Sequence, residues 1–304
     1  MPNLKYHLVD VFTDRPFAGN QLAVFTEPGE LKDELMQQLA NEFSLSETTF
    51  VCPPRKKGND FWVRIFTPES EIPFAGHPTL GTAFVLAQEG KVKLTKGKAT
   101  VRFGEGVGPI DVELEERDGR PMLVRMSQPL PKFGSEFTNR QALAEMMSLD
   151  SAALDAKHPA QVVSCGVPFL IVPLKGIDVM RNIKLRLDIW SRQVKDSGSP
   201  CVMPFTMETI KPDSTVHCRM FAPGLGILED AATGSANGPL GCYLVKHGLV
   251  EADPVAHIVS EQGYEMRRPS EIEIEVGSKN GEISSVSVGG GCVYIGSGEI
   301  AVDF

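Results

Sequence analysis

Arg64-Ile-Phe-Thr-Pro68 and Arg219-Met-Phe-Ala-Pro223 are two renderings of one five-residue pattern, 155 residues apart. Each reads as a short strand closed by a proline, which has no N–H to offer a ladder. Each is followed by a small, glycine-containing segment and then an apolar helix. The first copy runs FAGHPTLGTAFVLAQEG, 74–90, and the second DAATGSANGPLGCYLVKHG, 230–248. Gly90 and Gly248 stand where a helix ends on a left-handed residue.

A second pair lies outward of the first. IDVELEERDG, 110–119, and IEIEVGSKNG, 272–281, are 162 residues apart. Both alternate apolar and polar residues with period two, and both end on Asp-Gly or Asn-Gly, the strongest short hairpin signals. Both resume as strands, LVRM at 123–126 and VSV at 286–288. Two matched pairs in the same order predict an α+β protein of two similar domains. The expected division is 1–130 and 131–292, with a C-terminal strand, 293–304, able to return to the first domain. The join falls near SQPLPKFGSE, 127–136, where Pro and Gly cluster. Further helices are predicted over LKDELMQQLANEF, 31–43, RQALAEMMSL, 140–149, and the amphipathic VMRNIKLRLDIWSRQV, 179–194, with a loop at KDSGSP, 195–200.

The bulk properties of the 304 residues agree with a globular chain. Hydrophobic residues make up 42% and charged residues 23%, while 29 Gly and 22 Pro favour many short strands. A net charge of −9 argues against nucleic acid or an anionic membrane as partner. The opening MPNLKYHLVDVF lacks the pattern of a signal peptide, so a cytoplasmic location is expected. Six scattered cysteines without a CxxC read as reduced thiols, and the six histidines hold no HExxH or i, i+4 pair for a metal. GLGILEDAATG is not followed by the remainder of a dinucleotide-binding unit, and no Walker A motif occurs.

A duplication of this kind predicts a cleft with a helix start from each half. Ala75-Gly76-His77 opens one helix and Thr233-Gly234-Ser235 the other. Free N–H groups at a helix start, with the dipole behind them, suit a carboxylate. Pro78 fits the first helical turn, and Ser235 is a favourable capping type. Three titratable residues stand nearby: Glu47 in SLSETTFV, His77, and Asp230 in ILEDAATGS. Proton transfer at carbon needs a base of suitable pKa close to the C–H bond, and a shielded glutamate can supply one. Taken singly, each also has a plain reading: Glu47 a solvated strand-entry residue, His77 a polar residue near a helix end, Asp230 a loop acid.

The runs VDVFTDRPFAGNQLAV (9–24), LSETTFV (45–51), RIFTPESEIPFAGHPTLG (64–81), FAPGLGILEDAATGSANGPL (221–240) and QGYEMRRPS (262–270) closely resemble the PhzF family of phenazine biosynthesis. The resemblance implies the diaminopimelate-epimerase fold, two halves each with a β-barrel-like sheet wrapped around a central helix. It also implies a homodimer acting on a small carboxylate, with no metal and no organic cofactor. The implied activity is isomerisation of the trans-2,3-dihydro-3-hydroxyanthranilate type, in which one glutamate moves a proton between ring carbons. By motif that glutamate is Glu47. The active-site histidine, aspartate and serine fall on His77, Asp230 and Ser235. Gly76 and Gly234 fall on the amides that bind the carboxylate, and Asn20 on the cleft wall. Related racemases carry paired cysteines where this chain has Ala75 and Thr233, so two-thiol chemistry is not expected. Arg267 stands where the family often has glycine, and could line the cleft. Two alternatives stay open: a non-catalytic binding protein of the same fold, and an amino-acid racemase or epimerase with another base.

Overall fold

In a computed structural model the structure describes residues 3–199 and 201–302. The last two residues of the expected C-terminal strand, and the end of the 195–200 loop, lie outside them. The chain divides into two compact units, one formed by 1–127 and 289–304 and the other by 128–288.

The first unit contains β1 (Asn3–Val11), β2 (Asn20–Phe25), α1 (Asp33–Phe43), β3 (Glu47–Cys52), β4 (Phe61–Phe66), β5 (Glu71–Ile72), α2 (Gly76–Gln88), β6 (Lys98–Glu105), β7 (Gly108–Arg117) and β8 (Arg120–Gln128). The second contains β9 (Lys132–Glu136), α3 (Arg140–Met146), β10 (Gln161–Ser164), β11 (Pro168–Pro173), α4 (Ile177–Arg181), α5 (Leu187–Ile189) and β12 (Val202–Thr206). It continues through β13 (Val216–Cys218), β14 (Met220–Ala222), β15 (Ile227–Asp230), α6 (Gly234–Lys246), β16 (Val255–Gln262) and β17 (Ser270–Lys279). The long strand β18 (Glu282–Ala301) begins in the second unit and returns to the first at Gly289.

The first unit's sheet closes on itself. Pairing runs β1–β2–β3–β4–β6–β7–β8–β18 and back to β1. A closed sheet has an inside, and α2 fills it: every residue from Gly76 to Leu86 is buried. The sequence explains this, since GHPTLGTAFVLA is apolar or small all round rather than on one face. Gly81 lets the helix approach closely, because a Cβ there would meet Leu22 and Val11 side-chain carbons at 2.7 and 2.8 Å. In the second unit, α6 is buried over most of its length and packs on β10, β11, β16 and β17.

The two arginine phrases fold alike. Arg64 forks onto Glu71 with bonds of 2.8 and 2.7 Å, and lies over the Phe66 ring. Arg219 forks onto Glu229 at 2.7 Å twice, and lies over Phe221. Bidentate guanidinium–carboxylate pairing accounts for the arginine in both copies. The Asp-Gly and Asn-Gly pairs sit between β7 and β8 and between β17 and β18, with Gly119, Asn280 and Gly281 all at positive φ. Gly90 and Gly248, each at φ +70, follow the last residues of the two buried helices.

One expectation needs correction. The amphipathic 179–194 segment is not a single helix: α4 stops at Arg181, and α5 runs directly into a π-helical turn, Trp190–Val194. The Arg219 guanidinium accepts this break, donating to the Met180 and Ile183 carbonyls at the end of α4. Among the described residues all six cysteines are free, no helix is long and apolar enough to cross a membrane, and no His/Cys/Asp/Glu group is arranged to hold a metal.

Candidate active site

In the first unit, three polar residues converge at the start of α2. Asn20 opens β2, Glu47 opens β3, and His77 is the second residue of the helix. The parallel pairing of β2 with β3 sets Glu47 beside Leu22, two residues from Asn20. A 2.8 Å bond between the Thr49 and Thr82 hydroxyls ties β3 to the helix. The Asn20 amide nitrogen lies 3.3 Å from His77 Nδ1, and His77 Nε2 lies 3.3 Å from Glu47 Oε2. All three are buried, Glu47 at 7% exposure and His77 at 4%.

Burial sets the charge of the ring. It pushes the His77 pKa down to about 3, against a hydrogen bond with the Gln21 backbone that favours the charged form. The imidazole is therefore neutral at physiological pH. The neutral ring carries one hydrogen, with Nδ1 facing the Asn20 amide and Nε2 facing Glu47. That Nε2 has no aligned hydrogen-bond partner at the 3.3 Å separation. The contact joins a neutral imidazole to a carboxyl and is not an ion pair.

The helix start adds donors. Ala75 is the N-cap, extended and without a side-chain cap bond, so the first amides of the helix are not capped from within. Pro78 removes one N–H that the helix could not have used. Gly76 and His77 open the helix, whose start is able to hold an anion, and the His77 ring lies against the Glu47 carboxyl, able to exchange a proton.

The second unit has its own polar cluster at the start of α6. Asp230 ends β15 at 6% exposure and accepts a 2.5 Å bond from the Thr233 hydroxyl. Gln262, at the end of β16 and fully buried, organises the rest. Its Nε2 donates to the Asp230 carbonyl at 2.8 Å and Thr233 Oγ1 at 3.0 Å, while its Oε1 accepts from the Thr233 amide and Asn237 Nδ2. Gln128 Nε2 donates to the Gly234 carbonyl at 2.9 Å. Ser235 is not a cap: Thr233 is the N-cap, and Ser235 is the second helical residue, partly exposed. Thr233 spends its hydroxyl on Asp230 and none on the helix. Arg267 is exposed at φ +60, the left-handed conformation that glycine adopts without cost.

The structure thus brings Asn20, Glu47, Gly76 and His77 together in one unit, and Asp230, Gly234 and Ser235 together in the other. Sequence reasoning missed Gln262, Gln128 and Asn237. Gln262 opens the motif QGYEMRRPS, the one signal that could have marked it.

The closed sheet around a buried helix is a fold shared with a solved protein of the PhzF family. The chain belongs to that family: the model of the phenazine biosynthesis-like proteins matches residues 9–298. It is 33% identical over 308 residues to an uncharacterized isomerase of Mesorhizobium japonicum, covering 99% of this chain and 100% of the relative. It is also 33% identical over 297 residues to trans-2,3-dihydro-3-hydroxyanthranilate isomerase of Pseudomonas fluorescens, covering 98% and 99%. The crystal structure of the Bacillus anthracis phenazine biosynthesis protein of the PhzF family superposes with a TM-score of 0.91 at 25% identity, covering 99% and 100%.

Proposed function

We propose that this protein is a PhzF-like isomerase that moves a proton between carbons of a small carboxylate substrate, with Glu47 carrying the proton. The relatives' shared designation as isomerases supports the reaction class, and the buried Glu47–His77–Asn20 group is the observation that carries the assignment. The Glu47 carboxylate removes a proton from an activated C–H bond, and the electron pair moves into the adjacent π system. The carboxylic acid so formed returns the proton at another carbon of the same molecule. Atoms and electrons balance without an oxidant, and the reading includes no metal or organic cofactor. The neutral His77 orients Glu47 or a polar group of the substrate without neutralising the base. Gly76 binds the substrate carboxylate through its amide, and Asn20 fixes the ring of His77. Asp230 holds a polar substituent, and Gly234 and Ser235 bind through amide and hydroxyl. A substrate of the trans-2,3-dihydro-3-hydroxyanthranilate type fits this inventory. The reading extends to a homodimer, and to two units that are copies of one ancestral half, as their paired arginine, helix-start and hairpin motifs suggest.

The test is NMR of trans-2,3-dihydro-3-hydroxyanthranilate with the protein in D₂O. Isomerisation by the wild type is expected, with a loss of ~10²–10⁴-fold in Glu47→Gln, the usual weight of a general acid–base group. Full activity in a folded Glu47→Gln protein would remove Glu47 from the mechanism. Ligand binding without exchange of any carbon-bound proton would favour the binding-protein alternative.

A further inference from the structure

Glu105, the last residue of β6, is 1% exposed and takes no part in the site described above. Its Oε1 lies 2.7 Å from the hydroxyl of Thr79, a fully buried residue of α2. The same hydroxyl lies 2.7 Å from the carbonyl oxygen of Ala75, the N-cap residue directly before Gly76 and His77. A threonine hydroxyl has one hydrogen and here faces two oxygens at equal, short range. The Ala75 carbonyl can only accept. The hydrogen count closes when Thr79 donates to Ala75 and Glu105 donates to Thr79, which requires a protonated carboxyl.

The surroundings agree. Glu105 Oε2 has no hydrogen-bond partner, a condition far costlier for a buried carboxylate than for a carboxylic acid. No charged side chain faces the group among the described residues; burial pushes its pKa up to about 8, and only the Thr79 hydroxyl opposes. The turn beyond it grips the same loop. The Val107 amide bonds to the Pro73 carbonyl at 3.3 Å, and a Cβ at Gly106 would meet Pro73 atoms at 2.7–2.9 Å. The β6–β7 turn therefore holds the segment entering α2 at Pro73 and, through Thr79, at Ala75.

We propose that Glu105 is a positioning residue that works as a neutral carboxylic acid, donating through Thr79 to the Ala75 carbonyl and so fixing the helix start that presents Gly76 and His77. Its effect on substrate rests on the isomerase reading; its protonation and its grip on the helix start do not. The pH consequence has a definite sign. Between about 4.5 and about 8 the unfolded chain has shed this proton and the folded chain keeps it, so stability falls as pH rises through that window. Above it, ionised Glu105 draws the Thr79 hydrogen away from Ala75.

The experiment is ¹³C NMR of the glutamate carboxyls in Glu47→Gln protein, which silences the proposed base, with backbone amide shifts recorded on the wild type. The inference expects one glutamate carboxyl to titrate near pH 8 and to vanish when Glu105→Gln is added. The Gly76 and His77 amide signals should move with that midpoint, and stay flat in Glu105→Gln, whose amide can still donate to Thr79. In turnover with the substrate named above, KM should rise severalfold above pH 8 in the wild type only. Glutamate midpoints all below 6, or a midpoint near 8 that leaves the Gly76 and His77 amides unmoved, would overturn the proposal. The NMR readouts need no turnover, so a failed relay and a failed isomerase assignment give different results.

Discussion

Of the three buried histidines that face carboxyl groups among the described residues, His77 and His217 end in opposite charge states. His77 meets one carboxyl at 3.3 Å, poorly aligned, and burial leaves it neutral. His217 is buried in the second unit, opposite Glu261 in the parallel β13–β16 pair. Its Nδ1 bonds to Glu261 at 2.9 Å and its Nε2 to Glu265 at 3.1 Å. Burial alone would lower the His217 pKa, but these two bonds raise it above the ordinary histidine value. Glu261 also accepts from the Ile210 and Lys211 amides, and both carboxyls are held below their usual range. Burial does not by itself decide the charge of a histidine. The number and alignment of carboxylates around it do. His217 is a clamp with both nitrogens committed, tying the turn after β16 to β13. His77 meets Glu47, the proposed base, without an aligned bond.

The comparison can be broken first at the clamp. His217→Gln would leave Glu261 and Glu265 without a cation, and should cost about 3–5 kcal/mol of stability, as the loss of one partner of a buried ion pair does. Urea unfolding measures it; a loss below 1 kcal/mol would mean the ring is not charged. The next effect is in the pH profile of stability, where the two rings pull oppositely. His217, with a raised folded pKa, contributes stability that is present below about 6.5 and is lost as pH rises through its folded value. His77 stays neutral in the folded chain down to about 3, so it contributes stability that is lost as pH falls from about 6.5 toward 3. His77→Asn should therefore flatten the acid side of the profile and His217→Gln the alkaline side; the reverse pattern would refute both assignments. The smallest effect is at Glu265, which is partly exposed. Glu265→Gln should cost about 1–3 kcal/mol, the range for a weakened buried polar contact, and bring the His217 pKa down toward 6.5. An unchanged His217 titration would show that Glu261 alone sustains the charge.

Much of the scaffold was legible because it is written in local chemistry. The Asp118-Gly119 and Asn280-Gly281 turns, the glycines after the two buried helices and the repeated arginine phrase all depend on near neighbours in sequence. Glu47, His77 and Asp230 could be singled out because each stands at an element boundary, Glu47 between a helix and a strand and the other two beside a small-residue helix start. What the sequence concealed depends on distant partners. Gln262 acts on Thr233 and Asn237, more than twenty residues away, and a lone glutamine carries no local signature of that role. Glu105 looks like a strand-end surface acid until Thr79 is seen against it. His217 reads as one more histidine until the parallel pairing places Glu261 opposite. The 179–194 stretch has the periodicity of a helix, yet carbonyls at its break bind Arg219, which propensity cannot foresee. Ser235 shows the limit of type preference: it is a capping residue by composition, but the glycine before it is already helical.

The most direct measurement is ¹⁵N NMR titration of the imidazoles in the intact protein, assigned with His77→Asn and His217→Gln. His77 should remain neutral from pH 8 to pH 5, while His217 is protonated at pH 6.5. A charged His77 at pH 6, or a neutral His217 there, would contradict the account of how this protein separates the proposed proton-transfer site from a structural clamp.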